Sequence, residues 1–487
     1  MYTQEQIDEL KQKIQPIIFD RHLGTSEYVK QMGEVKKFLE RFTGDNVFRE
    51  EFLKNPQATV EQYGLPIDPE EIRLLWDFDA ARSHDPATEP TPLPVMRYRA
   101  FIREKKQHRD QSQKVLCASN DPRFKAWRDR QVQRCYSQLG KRNGEAIVHA
   151  PMTLELSKGC SVGCWFCGVS APKLSDIFFY TPENAKLWQE TLTVLQEIIG
   201  PAAAHGFCYW ASDPLDNPDY EKFLIDFHRI LGRFPQTTTA QPMKDPQRTR
   251  DLLKLSAEKK GFIDRFSLIS LKMLKDVHAE FSAEELTFVE LITQNKEAHN
   301  IGKHITGRAR DYYRKQAEKN HEEYPDDAVS GTIACVSGFL FNMVDHSVKL
   351  ISPCNASDRW PLGYYVFQEG TFTDGESLRN LLTDMINQHM KTSVRHDQVV
   401  AFRPDLKYED IDNGFRLSSA FLHHNFNNVS DYLRDLVQGV YEGKQTAGEL
   451  ALKMERQHET PLEETFYNLN SFLKNGFLNE EPEPAVL

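Results

Sequence analysis

The sequence predicts an α/β fold: a partial barrel of about six parallel strands, preceded by a helical region and followed by a small winged-helix unit. Three observations carry this. From Met152 onward, short apolar or β-branched runs alternate with helical text. A proline-rich break, SHDPATEPTPLP, separates the first 82 residues from the rest of the chain. After residue 396 the pattern changes to short strands and three helices with clear end signals. At 487 residues the chain exceeds one ordinary core, so several units are expected.

The units are expected at 1–82, 83–150, 151–395 and 396–487. In the first, Val35, Phe38, Leu39 and Phe42, then Val47, Phe48 and Phe52, recur at helical spacing. The second begins with the stiff linker and continues through RYRAFIREKKQHRDQSQK, charged text expected as solvated bracing helices. In the third, the candidate strands are MTLEL, GFCYWA (206–211), TTTAQP (237–242), RFSLISL (265–271), KHITGR (303–308) and TIACVSGFLF from 332. Chemistry in parallel α/β folds gathers at the C-terminal ends of the strands. In the fourth, Val399, Val400 and Phe402 with Gly414–Leu417 predict a pair of strands. Three helices come next, with a stop at Gly443, a capping box from Thr446 to Glu449, and a Thr460-Pro461-Glu463 start before an end at Gly476.

A net charge of -11 argues against a partner recognised through its phosphates. The polar, helix-patterned start and the absence of a long apolar run predict a chain that neither enters a membrane nor carries an export signal, hence a cytoplasmic one. Eight cysteines are too few and too uneven for a disulfide framework.

Three of those cysteines crowd into SKGCSVGCWFC, directly after the strand MTLEL. Gly159 and Gly163 let this backbone wrap tightly, so Cys160, Cys164 and Cys167 can present three thiolates from one loop. Iron-sulfur clusters favour such ligands, and three cysteines on a four-iron cubane leave one iron open. The alternative is structural zinc, which wants four closely arranged ligands; no His or Cys follows within 30 residues of Cys167.

The C-x3-C-x2-C loop after a strand, with Phe166 before the last cysteine, resembles the radical S-adenosylmethionine superfamily. The resemblance implies a 4Fe-4S cluster on Cys160, Cys164 and Cys167, a partial (β/α)6 radical SAM barrel, and S-adenosylmethionine on the open iron. It implies an electron from a flavodoxin or ferredoxin. Where the family usually has a Gly-Gly-Glu-like segment, this chain has Ala211-Ser212-Asp213-Pro214, which places Ser212 and Asp213 near the cofactor ammonium. A turn with a helix cap explains the same text. By position, Phe166, Gln241 and Ser270 are further cofactor candidates, and Arg308 or Arg310 could meet its carboxylate.

Only Cys335 and Cys354 come after Cys208, so no auxiliary cluster is expected. With its length, late cysteine and terminal units, the chain resembles the proteusin-type radical SAM peptide epimerases. These convert L- to D-residues in a ribosomally made precursor peptide. By position Cys354 matches the thiol that returns hydrogen to the peptide Cα, with Cys335 as second choice; a buried small hydrophobe is the other reading of Cys354. Tyr364 and Tyr365 would relay hydrogen atoms or simply pack. The C-terminal unit resembles a PqqD-like precursor-recognition winged helix, which takes a leader peptide as an added strand, although a structural cap would read alike. The text FLERFTGDNVFREEFLKNPQATVEQYGL loosely resembles helical leaders of the nitrile-hydratase or nitrogen-fixation type. Two other functions stay open: a radical SAM maturase forming a carbon-carbon, thioether or methyl linkage, and a zinc-bearing peptide-binding scaffold without catalysis.

Overall fold

The computed structural model describes residues 11–299, 306–323 and 331–483. The helices Ser26–Gly44, Asn46–Lys54 and Pro56–Gln62 enclose an aromatic cluster of Phe38, Phe48 and Phe52 with Val35, Val60 and Ile72, the face expected from the spacing except for Val47, which is exposed. This region is fastened to the sheet behind it. Lys36 Nζ donates to the carbonyls of Leu286 and Val289, and Asn295 Nδ2 to that of Gly44 at 2.8 Å. Helices Leu93–Gln111 and Pro122–Ala146, the latter broken at Gly140, brace the sheet, but their charge is not all solvated as expected: Arg97, Arg128, Arg130 and Arg134 are buried.

The strands in chain order are β1 (Ala150–Glu155), β2 (Ser157–Lys158), β3 (Asp176–Ile177), β4 (Thr238–Thr239), β5 (Asp264–Leu268), β6 (Val289–Thr293), β7 (Val336–Asn342), β8 (Ser347–Pro353) and β9 (Tyr364–Thr371). Strands β4, β5 and β6 form a parallel sheet; β1, β7, β8 and β9 form a second, in which β1 and β7 are parallel and β8 and β9 antiparallel. A parallel bridge from Thr153 to Phe207 and the Thr238 Oγ1 to Tyr209 hydroxyl bond connect the two. The fold is thus mixed α/β, and no closed barrel forms among the described residues.

Several predicted strands differ. GFCYWA forms no strand: it bends at Cys208, Trp210 and Ala211 and makes only that one bridge, with Thr153 Oγ1 donating to the carbonyls of Phe207 and Tyr209. In KHITGR, Lys303–Ile305 lie outside the described residues, and Gly307 and Arg308 open a helix, Gly307–Asn320. The strand of that part of the fold is β6, from text expected as neither strand nor helix. TIACVSGFLF becomes extended only at Val336.

The C-terminal unit has three antiparallel strands, β10 (Lys407–Ile411), β11 (Gly414–Ser418) and β12 (His423–Asn427), and helices Asp431–Glu442, Ala447–His458 and Leu462–Lys474. They share one apolar cluster running from Val394 to Leu478. The Thr446–Glu449 capping box forms as predicted. Val399 and Phe402 do not form a strand; they make single bridges to Thr446 and Leu478. Thr460 does not cap the last helix either: Pro461 holds that place, and the Thr460 hydroxyl turns back to His458 O. Among the described residues no helix is long and apolar enough to cross a membrane.

Candidate active site

The cysteine loop leaves the C-terminal end of β1. Strands β2 and β3 pair at its base, and the Cys160 amide donates to Pro172 O at 2.9 Å, so the outgoing and returning chains stay zipped up to the first thiol. Gly159 is required there: its φ is +84°, and a Cβ would lie 2.4 Å from Lys173 O. Gly163, at φ +66°, faces open space. Two sulfurs accept amide hydrogens, Cys160 Sγ from Val162 at 3.5 Å and Cys167 Sγ from Ala171 at 3.3 Å. Burial raises the Cys160 thiol to about 11; burial, then Cys160 and Cys167, raise Cys164 to about 12. Apart from a bound metal or cluster, Cys160 and Cys164 therefore hold their protons.

Helix Gly307–Asn320 clamps the far side of the loop. The Arg308 amide donates to Cys167 O at 3.0 Å, and its guanidinium to Cys164 O at 3.2 Å and to Ala171 O. Arg308 is thus occupied with the loop, while Arg310 pairs with Asp358 at 2.9 Å. Trp165 meets Tyr312 at a tilt of 58° and 4.8 Å between ring centres, and Phe166 meets Trp165 edge-on at 5.5 Å, half-buried beside the cysteines.

On the near side the ties run through Asp216, a residue the sequence reading passed over. It accepts from the Ser161 amide at 2.9 Å, the Ser161 hydroxyl at 2.5 Å and Gln241 Nε2 at 2.9 Å, with Lys244 at 3.5 Å. Gln241 therefore stands at the site. Asp213 is buried and spends its carboxylate on Leu215 N, Thr239 Oγ1 and Ala240 N at 3.0, 2.8 and 2.7 Å. It caps the turn at Pro214 and joins it to β4, as the turn explanation of that text requires. Ser212 is half-buried, with no hydrogen-bond partner among the described residues. Ser270, exposed beyond β5, caps the next helix through Met273 N at 3.1 Å.

Glu155, a single acid in the buried strand β1, was the other signal available in the sequence. It accepts from Ala211 N at 2.7 Å and Asn342 Nδ2 at 3.3 Å, and burial lifts it to about 7. Nearby, Trp210 and Tyr364 meet edge-to-face at 5.8 Å.

Cys354 comes directly after β8. Because β8 runs against β1, the end of β8 lies level with the start of β1 and not, as a strand-end cysteine in a parallel sheet would, at the end bearing the cysteine loop. The turn after it comes back toward that loop: the Cys354 amide donates to Gly363 O, and Pro361 O accepts from the Gly307 amide, both at 2.9 Å. The thiol is 1% exposed, and burial holds it well above its ordinary range. Cys335 precedes β7 instead of lying inside it. It is half-buried and borders a cavity of about 190 Å³ with His108, His205, Tyr209 and Arg265.

Among the described residues, no three His, Cys, Asp or Glu side chains are gathered closely enough to hold one metal ion. Cys160 and Cys167 do both raise the Cys164 thiol, after burial, and each iron of a cubane takes its own thiolate, so such a cluster holds its sulfurs apart. Soft donors alone, with amides already aimed at two sulfurs, fit that group.

The chain is similar to the uncharacterized protein y4wI of Sinorhizobium fredii (strain NBRC 101917 / NGR234), being 40% identical over 443 residues that span 90% of this chain and 85% of that one. No protein-family model and no solved structure matches it.

Proposed function

We propose a function for a chain that belongs to one family with the Sinorhizobium fredii protein y4wI: it is a radical S-adenosylmethionine epimerase acting on a ribosomally made precursor peptide. One observation carries the reading. Cys160, Cys164 and Cys167 stand on a single loop at the C-terminal end of β1, with backbone amides directed at two of the sulfurs. When bound there, a 4Fe-4S cluster would supply the electron that splits S-adenosylmethionine and yields a carbon radical. Asp216 and Arg308 hold the loop from its two sides. Ser212, with its hydroxyl unengaged among the described residues, and Gln241 are the polar groups left to meet the cofactor.

The chemistry of this chain's own side chains is hydrogen return. A thiol S–H is similar in strength to a peptide Cα–H, so Cys354 has the hydrogen a planar Cα radical needs, and delivery requires the core peptide to reach the start of β1, where this buried thiol lies. Delivery from the face opposite the abstraction inverts the residue. A neutral thiol is the form required, and burial keeps Cys354 in it. The winged-helix unit, with β10 and β12 at the edges of its sheet, would take the leader as an added strand and raise the local concentration of the core peptide. A flavodoxin or ferredoxin would supply the electron.

The test is anaerobic reconstitution, iron and sulfide analysis, then reaction with the precursor in heavy water. The expected result is a cluster, with one deuterium at each inverted Cα and no other mass change. Cys354→Ala should still cleave the cofactor and yield no D-residue. A cross-linked or methylated product would favour the maturase, and zinc without sulfide the scaffold. Cys335 is favoured by the cavity it borders; D-residues from Cys354→Ala but none from Cys335→Ala would make it the donor.

A further inference from the structure

Hydrogen return leaves sulfur one hydrogen short. If Cys354 acts as proposed above, it ends each cycle as a thiyl radical, buried at 1% exposure, and must regain an electron and a proton before acting again.

The surroundings of this thiol are unusual for a plain core. Tyr365 pairs with Ser352 in the β8–β9 ladder, two residues from Cys354. Its ring meets that of Trp360 at 5.0 Å between centres. One carboxylate joins them: Glu481 accepts from Trp360 Nε1 at 2.7 Å and from the Tyr365 hydroxyl at 3.3 Å. Trp360 is half-buried and reaches solvent, with Arg359 bonded to the same carboxylate at 3.2 Å. The guanidinium of Arg134 lies 4.4 Å from the Tyr365 ring centre and donates to Pro353 O at 2.7 Å, next to the thiol. A cation over the ring opposes a tyrosyl radical cation, so Tyr365 can lose an electron only as its proton leaves.

We infer that Tyr365, Trp360 and Glu481 form a relay that restores the Cys354 thiol between turnovers. In the first step the Tyr365 O–H breaks and the Cys354 S–H forms, one electron and one proton passing to sulfur and leaving a neutral phenoxyl. In the second the Trp360 N–H breaks and the Tyr365 O–H re-forms. The electron crosses between the rings, while Glu481 takes the indole proton and gives a proton to the phenoxyl oxygen. In the third, the surface indolyl radical takes an electron from a one-electron reductant, dithionite in the test tube or a low-potential flavin or iron-sulfur protein, and a proton from water. Phenol, indole and thiol are each restored.

The relay rests on the donor role of Cys354, and the experiment separates the two. Full-length enzyme is mixed with the precursor it epimerises, S-adenosylmethionine and dithionite in heavy water, and D-residues per enzyme are counted. Tyr365→Phe and Trp360→Phe keep ring packing and remove the redox function. Each should stop near one D-residue per enzyme while wild type continues, and Trp360→Tyr should recover later turnovers. Continued turnover in both Phe variants overturns the relay. So does loss of even the first D-residue in them with cofactor cleavage intact, since that marks a packing role. A stop at one equivalent in Cys135→Ala, whose thiol donates to Pro353 O at 3.3 Å beside Cys354, with both Phe variants running on, assigns regeneration to that thiol and overturns the relay too. Abundant D-residues from Cys354→Ala instead sink the donor role itself.

Discussion

Glu155 offers the sharpest physical test of the sheet interior. Its carboxyl is buried in β1 and accepts from one backbone amide and, more weakly, from Asn342; desolvation outweighs both and sets it at about 7 against an ordinary 4.5. At about 1.4 kcal/mol per pH unit, that gap is worth about 3 kcal/mol. The native state binds this proton more tightly than the unfolded chain does. Its contribution is therefore fully present below about pH 4.5, and it is lost as pH rises through about 7. Glu155→Gln has no such proton. Urea unfolding of both proteins, followed by tryptophan fluorescence between about pH 4.5 and about pH 8.5, should show the variant gaining about 3 kcal/mol on wild type across the range. The difference is read in place of either absolute value, because several cores unfold in one chain. A constant offset between the two curves would show that Glu155 is ionised throughout, and the argument from desolvation would fail. Infrared spectra supply a second reading: at about pH 6 the protonated carboxyl band should be weaker in the variant than in wild type, Asp264, which burial raises to about 6, keeping the remainder.

Two further outcomes concern the cysteine loop. Gly159→Ala forces a side chain to 2.4 Å from Lys173 O at a positive φ, whereas Gly163→Ala costs only the left-handed backbone, about 1 to 2 kcal/mol; iron per chain after reconstitution should fall sharply in the first and stay near wild type in the second. Asp216→Ala removes the acceptor of three hydrogen bonds between the loop and Gln241, a loss of about 2 to 3 kcal/mol; iron should leave to a chelator faster than from wild type, with an unchanged circular dichroism spectrum.

How far each feature could be read beforehand depends on the range of the forces that set it. β1 is legible because MTLEL is a buried apolar run ahead of a glycine turn. The last three helices are legible because Gly443 and the Thr446–Glu449 box are local signals. β10 and β12 are not: KYEDI and HHNFN leave most of their side chains exposed and give no apolar alternation to count. β6 is hidden for a different reason. VELIT sits inside EELTFVELITQ, whose acids and leucines carry a helical look, and only pairing with β5 along the parallel register makes it a strand.

The same division runs through the candidate site. The three thiols belong to one stretch of eight residues, so their grouping is a local fact, and the glycines that permit it are local too. What surrounds them is not. The choice between Asp213 and Asp216 depends on β4, whose Thr239, with Ala240 just after it, occupies the first and leaves the second for Ser161. The place of Cys354 depends on the direction of β8, and a strand direction is fixed by its neighbours, not by its own residues. An apolar run ending in cysteine reads the same in either direction. Turned against β1, it sets the thiol beside Arg134, Tyr365 and the carboxylate of Glu481, groups from three separated stretches of chain. Cluster binding by the loop and hydrogen return by Cys354 are thus separable claims, and each fails or stands on its own measurement.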